Sequence, residues 1–184
     1  MSSLENTPRI TPFLWFDANA EEAVDFYIAV FKNSRKLTEL RNTGDAPGQK
    51  GGILTIGFEL DGQKFTALNG GPMYKFNEAV SFVVRCDTQE EIDYYWSMLT
   101  AGGSEIACGW LKDRFGLCWQ IVPAQILELI RHPKVMEAMM KMTKFDIAAL
   151  QQAASTAAGG IAESNLAKAQ KDAADTAALL KAQE

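Results

Sequence analysis

The sequence predicts an α+β fold in which one βαβββ module is used twice, followed by shorter helices. The main observation is a recurrence: Glu22-Ala23-Val24-Asp25-Phe26-Tyr27 returns as Glu90-Glu91-Ile92-Asp93-Tyr94-Tyr95. Each copy follows a strand-sized apolar run, Phe13 to Phe16 and then Phe82 to Val84. Each is also followed by short strand-like segments in which a glycine, Gly62 or Gly116, precedes the last strand. Two copies are too few for a solenoid, so the two halves must bury their apolar faces against each other within one domain. A cavity between the halves is the expected place for function.

In the first half, Ile10 to Phe16 reads as a buried strand and Ala18 to Phe31 as a helix, with Ala20, Ala23, Val24, Tyr27 and Phe31 at apolar positions. Asn19 or Asp17 is placed to cap that helix, and Glu21 and Glu22 suit the positive end of its dipole. A polar loop from Gly44 to Gly52 leads to strands at Ile53 to Leu60 and Lys64 to Leu68. Asp61-Gly62 between them is a strong hairpin signal, because Gly tolerates the positive φ that tight turns need.

The second half repeats the order. Val80 to Cys86 is a strand, and Asp87 or Thr88 caps a helix through Leu99 that stops at Gly102-Gly103. Strands follow around Ala107 to Leu111 and Leu117 to Val122. From Ala124 the pattern turns to short helices: one at Ile126 to Ile130, and another opened by Pro133 that runs through Met142 and continues over Phe145 to Leu150. Met136, Met139, Met140 and Met142 read as adaptable apolar packing. Ala157-Ala158-Gly159-Gly160 reads as a linker, and Ile161 to Glu184 as an alanine-rich helix with too little apolar area to be stable alone.

Composition narrows the function classes. Of 184 residues, 47% are apolar and 10% aromatic, enough for a core. Apolar stretches stay well short of the roughly 18 residues of a membrane span, and the N-terminus lacks a signal-peptide pattern, so a cytoplasmic protein is expected. A net charge of −5 disfavours nucleic acid. Cys86, Cys108 and Cys118 form no C-x-x-C pair and are odd in number, which predicts free thiols.

Several segments resemble the PhnB-like group of the vicinal oxygen chelate superfamily, often labelled 3-demethylubiquinone-9 3-methyltransferase domains and related to glyoxalase I, bleomycin-resistance proteins and extradiol dioxygenases. They are Ile10 to Asp17, Glu21 to Phe31, Phe65 to Pro72 and Cys108 to Asp113, and the resemblance extends over about residues 8 to 153. It implies a glyoxalase-like domain at 1–153, with βαβββ halves at about 8–72 and 78–123 forming a curved mixed sheet with a cup. Helices would occupy 124–153, and the tail 154–184 falls outside the pattern. It also implies a homodimer and a small organic ligand. In metal-dependent members four inward positions supply His, Glu or Gln; here they correspond to Thr11 or Pro12, Thr66 or Ala67, Ala79, and Gln120. Hydroxyl and alkyl groups do not replace such ligands, so no metal or other cofactor is expected, although Glu78 adjoins one position.

The residues offer little conventional catalytic equipment. His132, the sole histidine, lies before Pro133 at a helix boundary and reads as a surface residue. No Ser-His-Asp arrangement can be assembled, and the methyltransferase label lacks the Gly-rich strand-to-helix turn of a Rossmann-like site. Lys112-Asp113-Arg114 reads as a solvated charged turn, and Lys75 and Arg85 as anion contacts only if they border the cup. The expected ligand-binding residues are Asn69, Gln120, Trp15, Phe82, Trp110 and Cys118, with Met73, Tyr74 and Trp119 nearby in the pattern. Strand alternation puts Cys118, Gln120 and Val122 on one face and Trp119 on the other. The sequence thus predicts a metal-independent small-molecule binder. The alternative is a lyase or dioxygenase with a non-standard metal site, and an interaction module built on the tail is a third class.

Overall fold

The computed structural model describes residues 8–46, 48, 50–156, 168, 170 and 171. The linker expected at 157–160 and nearly all of the alanine-rich tail lie outside the described residues. The first module runs β1 (Phe13–Phe16), α1 (Ala20–Val30), β2 (Arg35–Arg41), β3 (Ile53–Leu60) and β4 (Gln63–Asn69). The second runs β5 (Ser81–Cys86), α2 (Gln89–Thr100), β6 (Ser104–Glu105), β7 (Trp110–Lys112) and β8 (Cys118–Pro123). Helices α3 (Ile126–Leu129) and α4 (Pro133–Met139) follow. The strand orders are β1-β4-β3-β2 and β5-β8-β7-β6, one order used twice, as the recurrence in the sequence requires.

In the first sheet β1 pairs parallel to β4, while β3 pairs antiparallel to both β4 and β2. The Asp61-Gly62 hairpin forms with φ of 44° and 85°, the positive values its two-residue connection needs. Helix α1 buries Ala20, Ala23, Val24, Tyr27 and Val30 as one stripe against the sheet face carrying Ile56, Phe58, Phe65 and Ala67. Its N-terminus is not capped by Asn19 or Asp17. Asn19 makes no capping bond; instead the Asn69 side chain, at the end of β4, accepts from the Ala20 N–H at 2.9 Å. At α2 the expected cap holds: Thr88 Oγ1 accepts from Glu91 N–H at 3.2 Å, and Glu91 accepts from Asp87 N–H at 2.8 Å.

Strand β2 escapes the sequence pattern because all seven of its residues are exposed. It is an edge strand, and Arg35, Lys36, Glu39 and Arg41, with irregular pairing at Lys36/Thr38 and Leu40/Arg41, discourage further strand addition. The continuous helix expected from Pro133 to Leu150 is broken. The carbonyls of Met142 and Thr143 accept from the N–H groups of Cys108 and Gly109, which takes those acceptors out of helical use. Helix resumes at 147–156, where Asp146 caps the Ala149 N–H at 2.9 Å.

The chain divides into two compact units. Among the described residues, one comprises those up to Phe82 with Ser97–Ser104 and Leu111–Trp119; the other comprises Val83–Trp96, Glu105–Trp110 and those from Gln120 onward. The first is organised around Asp113, which is only 3% exposed and is not part of a solvated turn. Its Oδ2 accepts from Tyr27 Oη and Trp119 Nε1, each at 2.8 Å, and its Oδ1 from the N–H groups of Phe115 (2.8 Å) and Leu117 (3.0 Å). Four donors satisfy the carboxylate, but burial dominates and lifts its pKa above the ordinary range. Around it Trp119 packs against Tyr27, Phe31 and Phe82 at centroid distances of 5.6, 5.2 and 5.7 Å. In the second unit, Gln89 donates to the Phe145 carbonyl and accepts from Ile147 N–H, while Trp96 Nε1 donates to Glu105 at 2.6 Å. Gly109, at φ 78°, has no room for a Cβ, which would lie 2.4 Å from the Phe145 ring.

Candidate ligand site beside the first strand

Paired residues of neighbouring strands share a sheet face. On the face of the first sheet away from α1, one row is Trp15, Leu68, Thr55 and Leu40, and the next is Phe13, Thr66, Gly57 and Thr38. Phe13 is 59% and Leu40 56% exposed, so this face carries uncovered apolar area. Gly57 permits the close approach of β2, because a Cβ there would lie 2.4 Å from Thr38 Oγ1.

Trp15 is held in one position by three neighbours. Its Nε1 donates to the Gly71 carbonyl at 2.8 Å, and its ring lies over Gly70, where a Cβ would come within 2.4 Å of the indole. Tyr74 meets it edge-on at 4.9 Å. The ring forms one wall of a cavity of about 290 Å³, completed by Tyr74, Phe76 and Phe115, with Asp17 and Lys75 supplying opposite charges. A cavity of about 430 Å³ adjoins through Asp17 and Pro72 and reaches Asn42 and Asn69. A third, of about 210 Å³, adjoins through Lys75 and Phe76 and reaches Phe13 and Val80.

The residues singled out from sequence are distributed as follows. Trp15 and Asn69 line adjoining cavities. The Asn69 amide is held within the protein, its Oδ1 by Ala20 N–H and its Nδ2 by the Ile53 carbonyl at 2.9 Å. Phe82 packs on Phe65 at 5.2 Å and on Trp119, inside the aromatic core of the first unit. Cys118 is fully buried, and burial raises its thiol pKa. Trp119 and Ile121 are buried on one face of β8, while Gln120 and Val122, on the alternate positions, are half-buried. Trp110 and Gln120 belong to the second unit. Sequence reading missed Asn42, whose side chain holds the 42–52 loop: its Nδ2 donates to the Ala46 carbonyl (3.0 Å) and its Oδ1 accepts from Gly44 N–H (2.8 Å). The signal was an Asn directly before a Gly-rich turn.

The residues at the superfamily's metal-ligand positions do not fit a divalent ion. Thr11 Oγ1 donates to the Pro8 carbonyl, Ala79 has no donor atom, and Glu78 is engaged by Lys112, which holds its carboxyl below the usual range. No cluster of three or more His, Cys, Asp or Glu suited to a metal occurs among the described residues. No step is therefore assigned to a metal.

Two four-stranded mixed sheets with matching strand order, built from βαβββ modules, define a vicinal oxygen chelate protein. The family model described as 3-demethylubiquinone-9 3-methyltransferase matches residues 8–122, and the chain belongs to that PhnB-like family. The PhnB protein of Bacillus cereus is 32% identical to this chain, with a TM-score of 0.59 over 64% of this chain and 100% of its own. Protein PA1353 of Pseudomonas aeruginosa shares the fold at 21% identity, with a TM-score of 0.52 over 64% of this chain and 98% of its own. No curated protein matches the chain.

Proposed function

We propose that the protein binds a small organic molecule at the aromatic cavity beside β1, with Trp15 as the principal contact and without a metal. The observation that carries this reading is the fixed Trp15 ring: a large aromatic surface ordered before any ligand arrives costs little further entropy on binding. The donor-poor metal positions support independence from a divalent ion. Asn69 is proposed to act by fixing the wall at the start of α1, and Phe82 and Cys118 only through the packing of the first unit. A methyltransferase activity is not part of this reading, because the mixed order β1-β4-β3-β2 provides no Rossmann-type nucleotide turn.

A homodimer is part of the proposal. Uncovered Phe13 and Leu40 on the first sheet, and Met136 and Met140 on α4 and at its end, offer adaptable apolar area for a second copy. Three free cysteines suit a reducing compartment, in keeping with a cytoplasmic protein. No helix among the described residues is long and apolar enough to cross a membrane.

A thermal-shift screen of small acids, amines, quinones and aromatic antibiotics, run in EDTA, tests the binding reading. Hits should raise the melting temperature of the parent and fail to do so for Trp15→Ala. Hits that appear only with added divalent ion, or that ignore Trp15→Ala, would contradict it. Sedimentation at micromolar concentration should give twice the subunit mass; a monomer throughout would remove the dimer from the proposal.

A further inference from the structure

The cavity beside β1 is charged in an unusual way for an aromatic pocket. Its rings, Trp15, Tyr74, Phe76 and Phe115, are joined by one carboxylate, Asp17, and one ammonium, Lys75. The two line the same space without pairing, and neither makes an ion pair with any other side chain among the described residues. Lys112, by contrast, pairs with Glu78. Asp17 and Lys75 are thus opposite, solvent-exposed charges free of ion pairs, set on the rim of an open, ring-walled cleft of about 290 Å³.

This pattern discriminates among ligand classes. A simple organic cation would gain from Asp17 and the ring faces but would be opposed by Lys75. A simple acid would meet the reverse arrangement. A neutral hydrocarbon would displace water from two charged groups and return nothing to them. A molecule carrying an ammonium and an acidic group on an apolar ring-bearing body satisfies both charges and the walls together. Resting on the proposed small-molecule role of this cavity, we infer that its ligand is a small zwitterion, its ammonium directed to Asp17, its acidic group to Lys75, and its ring against Trp15 and Tyr74. The cavity is at the small end of ligand sites, so a single ring system with a short charged chain is the expected size.

Three probes of nearly equal shape test this by calorimetry in EDTA: L-tryptophan, its decarboxylated amine tryptamine, and its deaminated acid 3-indolepropionate. The full-length protein should bind L-tryptophan about three- to fivefold more tightly than either singly charged analogue, because each analogue loses one exposed charge contact. Asp17→Asn should remove the advantage over the acid, and Lys75→Gln the advantage over the amine. Both positions are exposed, so circular dichroism should confirm unchanged folding. Equal binding of the three probes, or indifference to both substitutions, would overturn the zwitterion inference. So would failure of all three to bind while screen hits still depend on Trp15, an outcome that leaves the small-molecule reading standing. If no compound of any class depends on Trp15, the small-molecule reading falls too.

Discussion

Asp113 accepts four hydrogen bonds while almost fully buried, and this makes it the residue whose replacement should be felt most sharply. In Asp113→Asn the remaining oxygen can still accept from the Phe115 and Leu117 N–H groups, but the new NH₂ would face the Trp119 and Tyr27 donors. Tyr27 can rotate its hydroxyl; the Trp119 N–H cannot, and is left without an acceptor. Stability in urea should fall by about 1–3 kcal/mol, and a change within about 0.5 kcal/mol would be that of an ordinary surface site and would contradict the account. This burial was not legible in advance, because Lys112-Asp113-Arg114 looks like any charged turn and the partners that bury Asp113 arrive from Tyr27 and Trp119. The cysteines were more legible. All three are free, yet only Cys108 is accessible, while burial pushes the Cys86 thiol up to about 12 and also raises that of Cys118. Iodoacetamide at mildly alkaline pH should therefore label Cys108 alone in the folded protein, as read by peptide mass spectrometry. Native-state labelling of Cys86 or Cys118 would count against the packing described.

The close approach of β1 to the end of β4 depends on a missing side chain. A Cβ at Gly70 would stand 2.4 Å from the Trp15 ring, so Gly70→Ala must push the indole out of position. The cost to stability should be moderate, about 1–3 kcal/mol as for other overpacked sites. The effect on ligand affinity should approach that of Trp15→Ala, and the near-ultraviolet circular dichroism should change. Retained affinity and an unchanged spectrum would mean that the ring is not held as described. Elements with a buried face were readable from sequence: α1 from its apolar positions Ala20, Ala23, Val24, Tyr27 and Phe31, and β3 and β4 from the Asp61-Gly62 turn between apolar runs. Strand β2 was not, because an edge strand exposed along its whole length needs no alternation. Asn69 as the cap of α1 was also illegible, since the acceptor comes from a different strand and local capping rules look only at neighbours in sequence.

At the scale of the whole chain, duplication was the feature most plainly written in the sequence, and it reappears as two sheets with the same strand order. The candidate site was only half legible. Trp15, Asn69 and Tyr74 could be named, and Lys75 as an anion contact if it bordered the cup, but Phe76 and Phe115, which complete the cavity, come from a connecting segment and a turn that no periodicity marks. The central claim is that Trp15 meets a small molecule without help from a metal, and the indole N–H signals in a two-dimensional ¹H–¹⁵N spectrum test it residue by residue. The chain has four tryptophans, and their environments differ: Trp15 donates to Gly71, Trp96 to Glu105 and Trp119 to buried Asp113. With Trp15 assigned by Trp15→Phe and a thermal-shift hit added in EDTA, the Trp15 signal should move saturably while those of Trp96 and Trp119 stay in place. A Trp15 signal that does not move, or that moves only when a divalent ion is restored, would contradict the account.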